Sequence, residues 1–527
     1  MMRKIYLSDY PGGDDRERIA AALDDARRVP GTTLVVEPGE YRITTPRSRE
    51  IRRALMCGEY GSDPERVMFT PDFPYDRGID LSGHVGTVVD GTGARLMIDG
   101  FMEDISIRDC EGVRVRGFEI DNVRKPYTKA VIESVGDKAV KARLSQPITD
   151  KTPVVRTCIY SFELGRFIPE ICDVDSVASV DGEVAAIKLK GDSSRVSKGD
   201  EIYLCHTFHF RPSVLIEDAK NITVENVTVH SHSGMGLTAF HGEDITLDGF
   251  RVVPAVGEHF STNTDATHFT SCRGYLKIKN CAFVGQGDDG INVHTYYFTP
   301  EERIDEKTVV LTIKSPTWTH TQRMDSPSVG DRFDLTDERT LRVIDSFYVA
   351  SVACDRRSCT VTLDRDLPRD LVGCLFASPD MTPSLEVRGS SFRNHFARGM
   401  TLKMRKCLIE NCEMTDLFEL PIKLAPEAYW REGVGCEEMT VRNCTFKNCG
   451  RLKYCVPRFE CGGIEVFSDS PEHAAVHGRV TVENNIIECP ECDHAIMLRD
   501  LERASLSGNR LTSKGDPLVL DDKVKIK

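Results

Sequence analysis

The sequence predicts an all-β protein built on a right-handed parallel β-helix, with two inserted small β-barrel modules and a short N-terminal capping helix. The main observation is a pattern, apolar-x-apolar-x-(Asn or Gly)-x-x-apolar, that recurs along the chain. Its shortest steps are 22–24 residues, the length of one minimal coil. Asn or Gly at the fifth position tolerates the left-handed conformation that a sharp corner needs. The pattern begins at Val113, Ile222, Ile245, Leu276, Leu385, Cys407, Met439, Val480 and Ala504.

The N-terminal segment is typical of a cap on such a helix. Asp14 and Glu17 form a capping box, and Ile19, Leu23 and Ala26 follow at helical spacing. The segment ends at Pro30-Gly31, and residues 32–36 are predicted to form the first strand. A short amphipathic helix in this position would cover the open edge of the first coil.

Two segments, about 125–211 and 300–379, lack the coil pattern and are richer in long alternating strands. We interpret both as β-barrel modules inserted into loops between coils. The predicted domain boundaries are therefore 1–124 (N-terminal coils), 125–211 (first barrel), 212–299 (catalytic coils), 300–379 (second barrel) and 380–527 (C-terminal coils). The second barrel leaves the helix just after His294, so we expect it to lie close to the functional cleft.

Composition excludes several classes of protein. The chain has 527 residues and a net charge of −14, which argues against nucleic acid as a partner. No apolar run approaches membrane-spanning length, and the N-terminus lacks the apolar core of a signal peptide, so a cytoplasmic location is expected. The 19 cysteines are then expected to be thiols. Cys489, Cys492 and His494 form the one metal-like cluster, which leaves structural zinc and buried thiols as alternatives.

An acidic motif between the two insertions carries the functional prediction. Asp265 is followed 23 residues later by the pair Asp288-Asp289, a distance of one coil. The three carboxylates are therefore predicted to lie at one corner of adjacent coils, where their repulsion raises at least one pKa. One protonated acid beside ionised bases is what glycoside hydrolysis needs. A calcium site or a solvated acidic turn would use the same residue types.

The same residues resemble two related families. Asn263-Thr264-Asp265 followed by Gly287-Asp288-Asp289-Gly290 is similar to the signature of the polygalacturonases, although no Gly-His-Gly or Arg-Ile-Lys triplet follows. The chain more closely resembles glycoside hydrolase family 110, the α-1,3-galactosidases that act on blood-group-B and linear Galα1,3Gal ends. The segments that carry this likeness are Gly234–Leu237, Thr264–Phe269, Cys272–Gly274, Gly285–His294, Ala397–Gly399 and Ala428–Trp430.

These arguments assign roles to particular residues. Asp288 is predicted to protonate the leaving oxygen, while Asp265 and Asp289 activate a water on the other face of the sugar. No metal or cofactor is required. The predicted substrate-binding residues are His268, Asn292, His294, Arg398 and Trp430. His268 and His294 would donate to hydroxyls or orient a carboxylate, and Trp430 offers a stacking surface to a sugar. We expect His230, Ser231 and His232 to line the same cleft.

The leading hypothesis is an exo-acting inverting glycoside hydrolase that releases terminal α-linked galactose as the β-anomer. Its partner would be an oligosaccharide or glycoconjugate, and the family resemblance implies a homodimer. A polysaccharide lyase on the same fold is the second hypothesis. A non-catalytic carbohydrate-binding β-helix is the third.

Overall fold

The computed structural model describes residues 3–168, 174–189, 193–315, 324–450, 462–521 and 524–526. Three long parallel sheets of 13, 11 and 12 strands run its length, and successive coils contribute strands to each sheet in turn. The predicted parallel β-helix is confirmed. Three α-helices lie near the N-terminus: α1 (Asp15–Arg27), α2 (Pro46–Met56) and α3 (Glu65–Met68). Short 3-10 helices occur at Leu7–Asp9, Ser193–Arg195 and Pro379–Met381.

The first coils contain β1 (Lys4–Tyr6), β2 (Thr33–Val35), β3 (Gly39–Thr44), β4 (Arg77–Asp80), β5 (Val88–Asp90), β6 (Ala94–Asp99), β7 (Glu103–Arg108), β8 (Arg114–Arg116) and β9 (Glu119–Asn122). Helix α1 begins with the expected reciprocal bonds between Asp14 and Glu17, and it buries Ile19, Leu23 and Ala26. Helix α1, the longest in the described residues, has 13 residues, and no described helix is long and apolar enough to span a membrane.

The first insertion is a seven-stranded antiparallel sheet in the order β13-β12-β16-β10-β11-β15-β14. Its strands are β10 (Tyr127–Val135), β11 (Ala139–Leu144), β12 (Arg156–Ser161), β13 (Arg166–Phe167), β14 (Val174–Asp181), β15 (Val184–Leu189) and β16 (Glu201–Cys205). The chain then returns to the helix through residues 206–213.

The central coils contain β17 (Val214–Glu217), β18 (Lys220–Glu225), β19 (Thr228–Val229), β20 (Leu237–Phe240), β21 (Glu243–Asp248), β22 (Arg251–Val252), β23 (Thr267–Thr270), β24 (Arg273–Lys279), β25 (Ala282–Val284) and β26 (Ile291–Tyr296). The second insertion has the order β27-β28-β31-β30-β29-β32. Mutual backbone bonds between Phe298 and Phe376 close this sheet on itself. Its strands are β27 (Thr299–Arg303), β28 (Thr308–Thr312), β29 (Arg332–Asp337), β30 (Val343–Cys354), β31 (Cys359–Leu363) and β32 (Cys374–Ala377).

The C-terminal coils contain β33 (Ser384–Arg388), β34 (Ser391–Arg393), β35 (Met400–Leu402), β36 (Lys406–Glu410), β37 (Glu413–Thr415), β38 (Ile422–Leu424), β39 (Glu432–Gly433), β40 (Glu438–Arg442), β41 (Thr445–Lys447), β42 (Ile464–Val466), β43 (His477–Glu483), β44 (Ile486–Glu488), β45 (Ile496–Leu498), β46 (Leu501–Ser507), β47 (Arg510–Thr512), β48 (Leu518–Leu520) and β49 (Lys525–Ile526). The domain boundaries stay a prediction.

The sequence repeat sets the register in which the strands of neighbouring coils pair. The first apolar positions pair with one another across neighbouring strands, for example Ile222 with Ile245 and Ile245 with Leu276. The corner residues have the left-handed backbone that the pattern requires, with φ of 49° at Asn226 and 68° at Gly249. The apolar positions of the coils form one continuous core along the axis.

Cysteines are mostly core residues. Cys281, Cys412 and Cys444, which share the sixth repeat position, are all buried. The prediction of thiols throughout is wrong for Cys354 and Cys359, which face each other across β30 and β31 and form a disulfide. The coil repeat could not predict this pair, because the turn between β30 and β31, which lies outside the repeat, brings the two cysteines together.

The cluster of Cys489, Cys492 and His494 is buried. Cys492 Sγ donates to the Cys449 carbonyl at 2.9 Å, and His494 Nε2 lies 2.9 Å from Glu465 Oε1. These contacts within the protein favour the interpretation as buried thiols over structural zinc.

Candidate active site

The three aspartates lie where consecutive strands of the 12-stranded sheet begin. Asp265 precedes β23 and the pair Asp288-Asp289 precedes β26. Thr267 pairs with Ile291, a step of 24 residues rather than the 23 predicted, so Asp289 is the residue that stacks on Asp265. Asp288 comes one residue earlier. Carboxylate oxygens of all three lie within 4.8 Å of one another, so the predicted cluster exists.

Glycines allow the two acidic turns to stack this closely. A Cβ at Gly287 would lie 2.1 Å from the Asn263 carbonyl oxygen, which belongs to the preceding coil. The backbones are bonded across the same gap: Asp289 N–H donates to Asp265 Oδ1 at 3.2 Å, and Ala266 N–H donates to the Asp289 carbonyl at 2.8 Å. The Gly-Asp-Asp-Gly motif is therefore required by the packing of coils as well as by the chemistry.

Arg398 binds both oxygens of the Asp289 side chain. Its Nε and Nη2 lie 3.0 Å from Asp289 Oδ1 and Oδ2, and its backbone N–H also donates to Oδ1 at 3.0 Å. Asn292 Nδ2 adds a bond to Oδ2 at 3.3 Å. A bidentate guanidinium on a buried carboxylate stabilises the charged form. A cation at the trio would have to compete with this guanidinium, which weakens the calcium alternative.

The carboxyl groups of Asp265 and Asp288 lie in a different environment from that of Asp289. Burial, together with the charge of Asp289, raises the pKa of Asp265 to about 8. Burial and the charges of Asp265 and Asp289 raise the pKa of Asp288 to about 7. These two groups titrate as a pair, which retains a proton near neutral pH. Asp288 lines the cleft, and none of the described residues donates a hydrogen bond to its side chain.

Two histidines continue from Asp265 along the sheet. His268 Nδ1 lies 2.7 Å from Asp265 Oδ2, and His268 Nε2 lies 2.9 Å from His294 Nε2. His294 Nδ1 is 3.1 Å from the Thr295 carbonyl oxygen. Burial lowers the pKa of His268 to about 4, and burial lowers that of His294 well below its usual range. Both rings are therefore neutral, and all four ring nitrogens have partners inside the protein.

A cleft of about 1190 Å³ lies over the trio. Its walls come from five parts of the chain: the segment after α3, the return from the first insertion, the central coils, the C-terminal coils and the hairpin that leads into β39. The lining residues are Phe69, Phe208, His209, Met235, Asp265, His268, Asp288, Asp289, Asn292, His294, Tyr296, Arg398, Lys403, Glu419, Lys423, Glu427, Trp430, Glu432 and Asp469.

All eight predicted site residues are in this cleft. Asn292 Oδ1 is buried there without a hydrogen-bond partner, so it is available to a ligand. Trp430 is 37% exposed at the rim, beside Tyr429 at 72%, as a sugar-stacking surface requires. By contrast, His230, Ser231 and His232 lie outside the cleft lining. Ser231 donates to Asp121 at 2.8 Å in the coil below.

His209 is a site residue that the sequence did not reveal. Its Nδ1 lies 2.7 Å from Glu65 Oε1, and its ring stacks on Phe69. Burial lowers the pKa of His209, but the bond to Glu65 and the charges of Asp265 and Asp288 outweigh this and raise it. An imidazole with a raised pKa thus faces the acidic trio. Its loop is tied to the site because Asn263 Nδ2 donates to the Thr207 carbonyl at 2.8 Å.

The cationic side chains from the coils are neutralised within the cleft. Lys403 bridges Glu427 at 2.7 Å and Glu432 at 2.5 Å. Lys423 lies 2.6 Å from Glu427, and Arg398 also bonds Glu419 at 3.2 Å. Apart from Arg398, the sequence did not reveal these charged residues, because neither a motif nor the coil period marks them.

The second insertion reaches a pocket beside the cleft. None of its described residues lines the cleft itself. Asp325 lines an adjoining pocket of about 740 Å³, which shares Phe69, Met235, His268 and Tyr296 with the cleft. Asp325 is held by His241 Nε2 at 2.6 Å.

Comparisons with known proteins place the chain among relatives of glycoside hydrolases. A family model described as glycosyl hydrolases family 28 matches residues 175–301. A curated relative named alpha-1,3-galactosidase A, from Shewanella woodyi, is 24% identical over 86% of this chain and 77% of its own length. The protein of the same name from Bacteroides thetaiotaomicron is 23% identical over 90% and 85%. An alpha-1,3-galactosidase B from Parabacteroides distasonis is 26% identical over 80% and 75%.

Among solved structures, a family 28 exopolygalacturonase from Yersinia enterocolitica aligns with a TM-score of 0.40 at 11% identity, covering 100% of this chain and 78% of that one. The catalytic domain of a GH87 alpha-1,3-glucanase aligns with a TM-score of 0.43 at 10% identity, covering 100% and 68%. The sequence relatives and the family match confirm the resemblance inferred from the motifs. They support glycoside hydrolase activity.

Proposed function

We propose that this protein is an exo-acting, inverting glycoside hydrolase that releases terminal α-linked galactose. The observation that carries the proposal is the asymmetry of the aspartate trio. Burial and the neighbouring carboxylates raise the pKa of Asp288, which lines the cleft, whereas the Arg398 guanidinium binds both oxygens of Asp289. One group can thus give a proton while its neighbours hold a water. The names of the curated relatives supply the sugar and the linkage class.

In the proposed reaction, Asp288 transfers its proton to the glycosidic oxygen as the bond from this oxygen to the anomeric carbon breaks. A water held by Asp265 and Asp289 adds to the opposite face of the same carbon. The proton of this water passes to a carboxylate, so atoms and charge balance. The galactose leaves as the β-anomer.

The spacing of the carboxylates does not by itself select inversion. Separations of about 6.5–9.5 Å are usual for inverting enzymes and about 5–5.5 Å for retaining ones. The closest oxygens here lie within 4.8 Å. Support for inversion comes from the contacts of the carboxylate oxygens. Arg398 binds both oxygens of Asp289, and His268 contacts Asp265 Oδ2, so neither carboxylate is free to attack the anomeric carbon directly.

The shape of the cleft supports an exo mode of action. Phe208 and His209 wall one side, and the hairpin that carries Glu427 and Trp430 walls another. We expect these walls to exclude a long polymer that threads across the sheet and to admit a single terminal sugar.

The two alternative functions are less well supported. A lyase needs a free cation to neutralise the uronate carboxylate, but Arg398, Lys403 and Lys423 all have carboxylate partners among the described residues. A binding module has no use for three clustered carboxyls, two of which have raised pKa values, whereas such clusters are typical of catalytic sites.

The test is NMR detection of the first anomer released from linear Galα1,3Gal, with wild type, Asp288→Asn and Glu413→Gln. Glu413 is an exposed carboxylate paired with Arg393, remote from the trio, and serves as the matched control. We expect β-galactose from wild type and the control, and almost none from Asp288→Asn. Initial α-galactose would refute inversion. Full activity of Asp288→Asn would refute the assignment of the acid.

A further inference from the structure

We infer that His268 and His294 form a hydrogen-bonded pair that fixes where the proton of Asp265 lies and makes Asp265 the general base of the site. This inference rests on the proposed function, because a general base has meaning only for an enzyme that activates water. It assigns both histidines as positioning residues. It also separates the roles of Asp265 and Asp289, which are otherwise equivalent candidates.

The argument starts at the far end of the pair. A carbonyl oxygen can only accept, so His294 Nδ1, 3.1 Å from the Thr295 carbonyl, carries the hydrogen. A neutral His294 then has a bare Nε2 that accepts. The Thr270 hydroxyl, 3.3 Å from this nitrogen, is suited to donate to it as well.

The hydrogen positions on His268 follow from this assignment of His294. His268 Nε2 lies 2.9 Å from the bare His294 nitrogen, so it must be the donor. A neutral His268 is left with a bare Nδ1. That nitrogen lies 2.7 Å from Asp265 Oδ2, and the contact is a hydrogen bond only when Asp265 is the protonated partner.

The consequence is a carboxyl whose acid form is favoured. When Asp265 is protonated, its hydroxyl donates to His268. When it is ionised, two lone pairs face each other at 2.7 Å. A hydrogen bond to the neutral form disfavours ionisation and so makes the carboxylate a stronger base. Asp289 is placed differently, since the Arg398 guanidinium donates to both of its oxygens.

Other charges also bear on these groups. Asp265 is faced by Asp288 and Asp289 from the β26 turn, by Arg398 from the β35 turn and by His209 from the return of the first insertion. The histidine pair is faced by Glu432, 3.7 Å from His294 Nε2, and by Lys403 and Glu427 behind it. Lys403 is bonded to both glutamates, which limits their pull on the imidazoles.

The proton path in the reaction is short. In the form that reacts, the proton shared by the two carboxyls is on Asp288 and Asp265 is ionised. The attacking water then loses one proton to Asp265 as its oxygen bonds to the anomeric carbon. The new Asp265 hydroxyl donates at once to His268 Nδ1. The proton that Asp288 gives to the leaving oxygen completes the balance, and both imidazoles remain neutral throughout.

The first experiment needs no turnover. Long-range ¹H–¹⁵N spectra of histidine-labelled full-length protein, assigned with His268→Asn and His294→Gln, report the tautomers. We expect Nε2–H on His268 and Nδ1–H on His294 at neutral pH, without titration of either ring down to about pH 5. A His268 Nδ1–H tautomer, or an imidazolium on either ring, would overturn the inference.

The second experiment uses two substitutions at one position. His294→Gln keeps an acceptor for His268 Nε2–H, whereas His294→Phe removes it and frees His268 to donate from Nδ1 to ionised Asp265. We expect the acid limb of the kcat/KM profile to fall by about 1 pH unit in His294→Phe only. A merely structural role would lower activity without moving this limb. An acid limb at the same pH in His294→Gln and His294→Phe would therefore count against the proposed role of the histidine pair.

The outcomes separate the two proposals. If the protein hydrolyses no glycoside, the proposed function fails while the tautomer measurement still tests the hydrogen-bond chain. If it hydrolyses galactosides with the reverse tautomers, only the inference fails. If His294→Phe does not fold, the wild-type spectra and His294→Gln keep the test decisive.

Discussion

Replacing Asp289 by Asn removes a buried negative charge from the trio while keeping the shape of the side chain. Its oxygens lie within 4.8 Å of those of Asp288. Two unit charges 4.8 Å apart repel by about 3.5 kcal/mol at an effective dielectric constant of about 20. This corresponds to about 2.5 pH units, and solvent in the open cleft reduces it, so we expect a change of about 1 to 2 units.

The sign of this change follows from the cause of the perturbation. Besides burial, the charges of Asp265 and Asp289 raise the pKa of Asp288 to about 7. Loss of one charge lowers that pKa, so Asp288 gives up its proton at lower pH. The alkaline limb of kcat/KM, which follows loss of the acid, should move down into the range of about pH 5 to 6. The acid limb should fall as well, because the charge of Asp289 also raises the pKa of Asp265. The maximal rate should also fall by about 10²- to 10⁴-fold, since the water loses an ionised partner.

The assay is the pH dependence of kcat/KM on an α-galactoside, supported by carbon NMR titration of labelled aspartates, which needs no turnover. Glu419→Gln is the matched control, because it removes a negative charge from the same arginine, 3.2 Å from Arg398 Nη1, outside the trio. We expect a much smaller shift of the alkaline limb in Glu419→Gln. An alkaline limb that stays in place in Asp289→Asn would refute the electrostatic account of the acid.

Three further results are expected. Asp288→Asn should lower kcat/KM by about 10²- to 10⁴-fold on a sugar leaving group, and much less on galactosyl fluoride, which needs no acid; equal losses on both would contradict the role. Glu65→Gln should discharge His209 and raise both limbs of the pH profile by about 0.5 to 1 unit, while His209→Lys, which keeps a positive charge, should leave them in place. Trp430→Ala should raise KM about fivefold at nearly constant kcat, with Trp430→Phe as the control, and steady-state kinetics showing an unchanged KM would exclude stacking.

The sequence by itself determined the repetitive part of this protein. An apolar residue at a fixed position in each repeat, such as Ile222 or Ile245, has to face the same core. The Asn or Gly at the fifth position of the repeat has to turn the chain. Because coils stack directly on one another, a spacing of one repeat also places Asp265 beside Asp288 and Asp289. The one-residue error in the step, 23 against 24, arose because spacing alone does not say which aspartate of the pair is in register.

Only the tertiary structure decided how that acidic corner works. Arg398 reaches Asp289 from a coil that follows the second insertion, and His209 reaches the trio from the loop that returns from the first, held by Glu65 of a short helix. The repeat carries no information about such contacts, since they depend on how inserted modules and loops pack against the coils. The protonation of Asp265 is equally invisible in the sequence, because it is set by hydrogen-bond directions through the two histidines that only three-dimensional geometry defines.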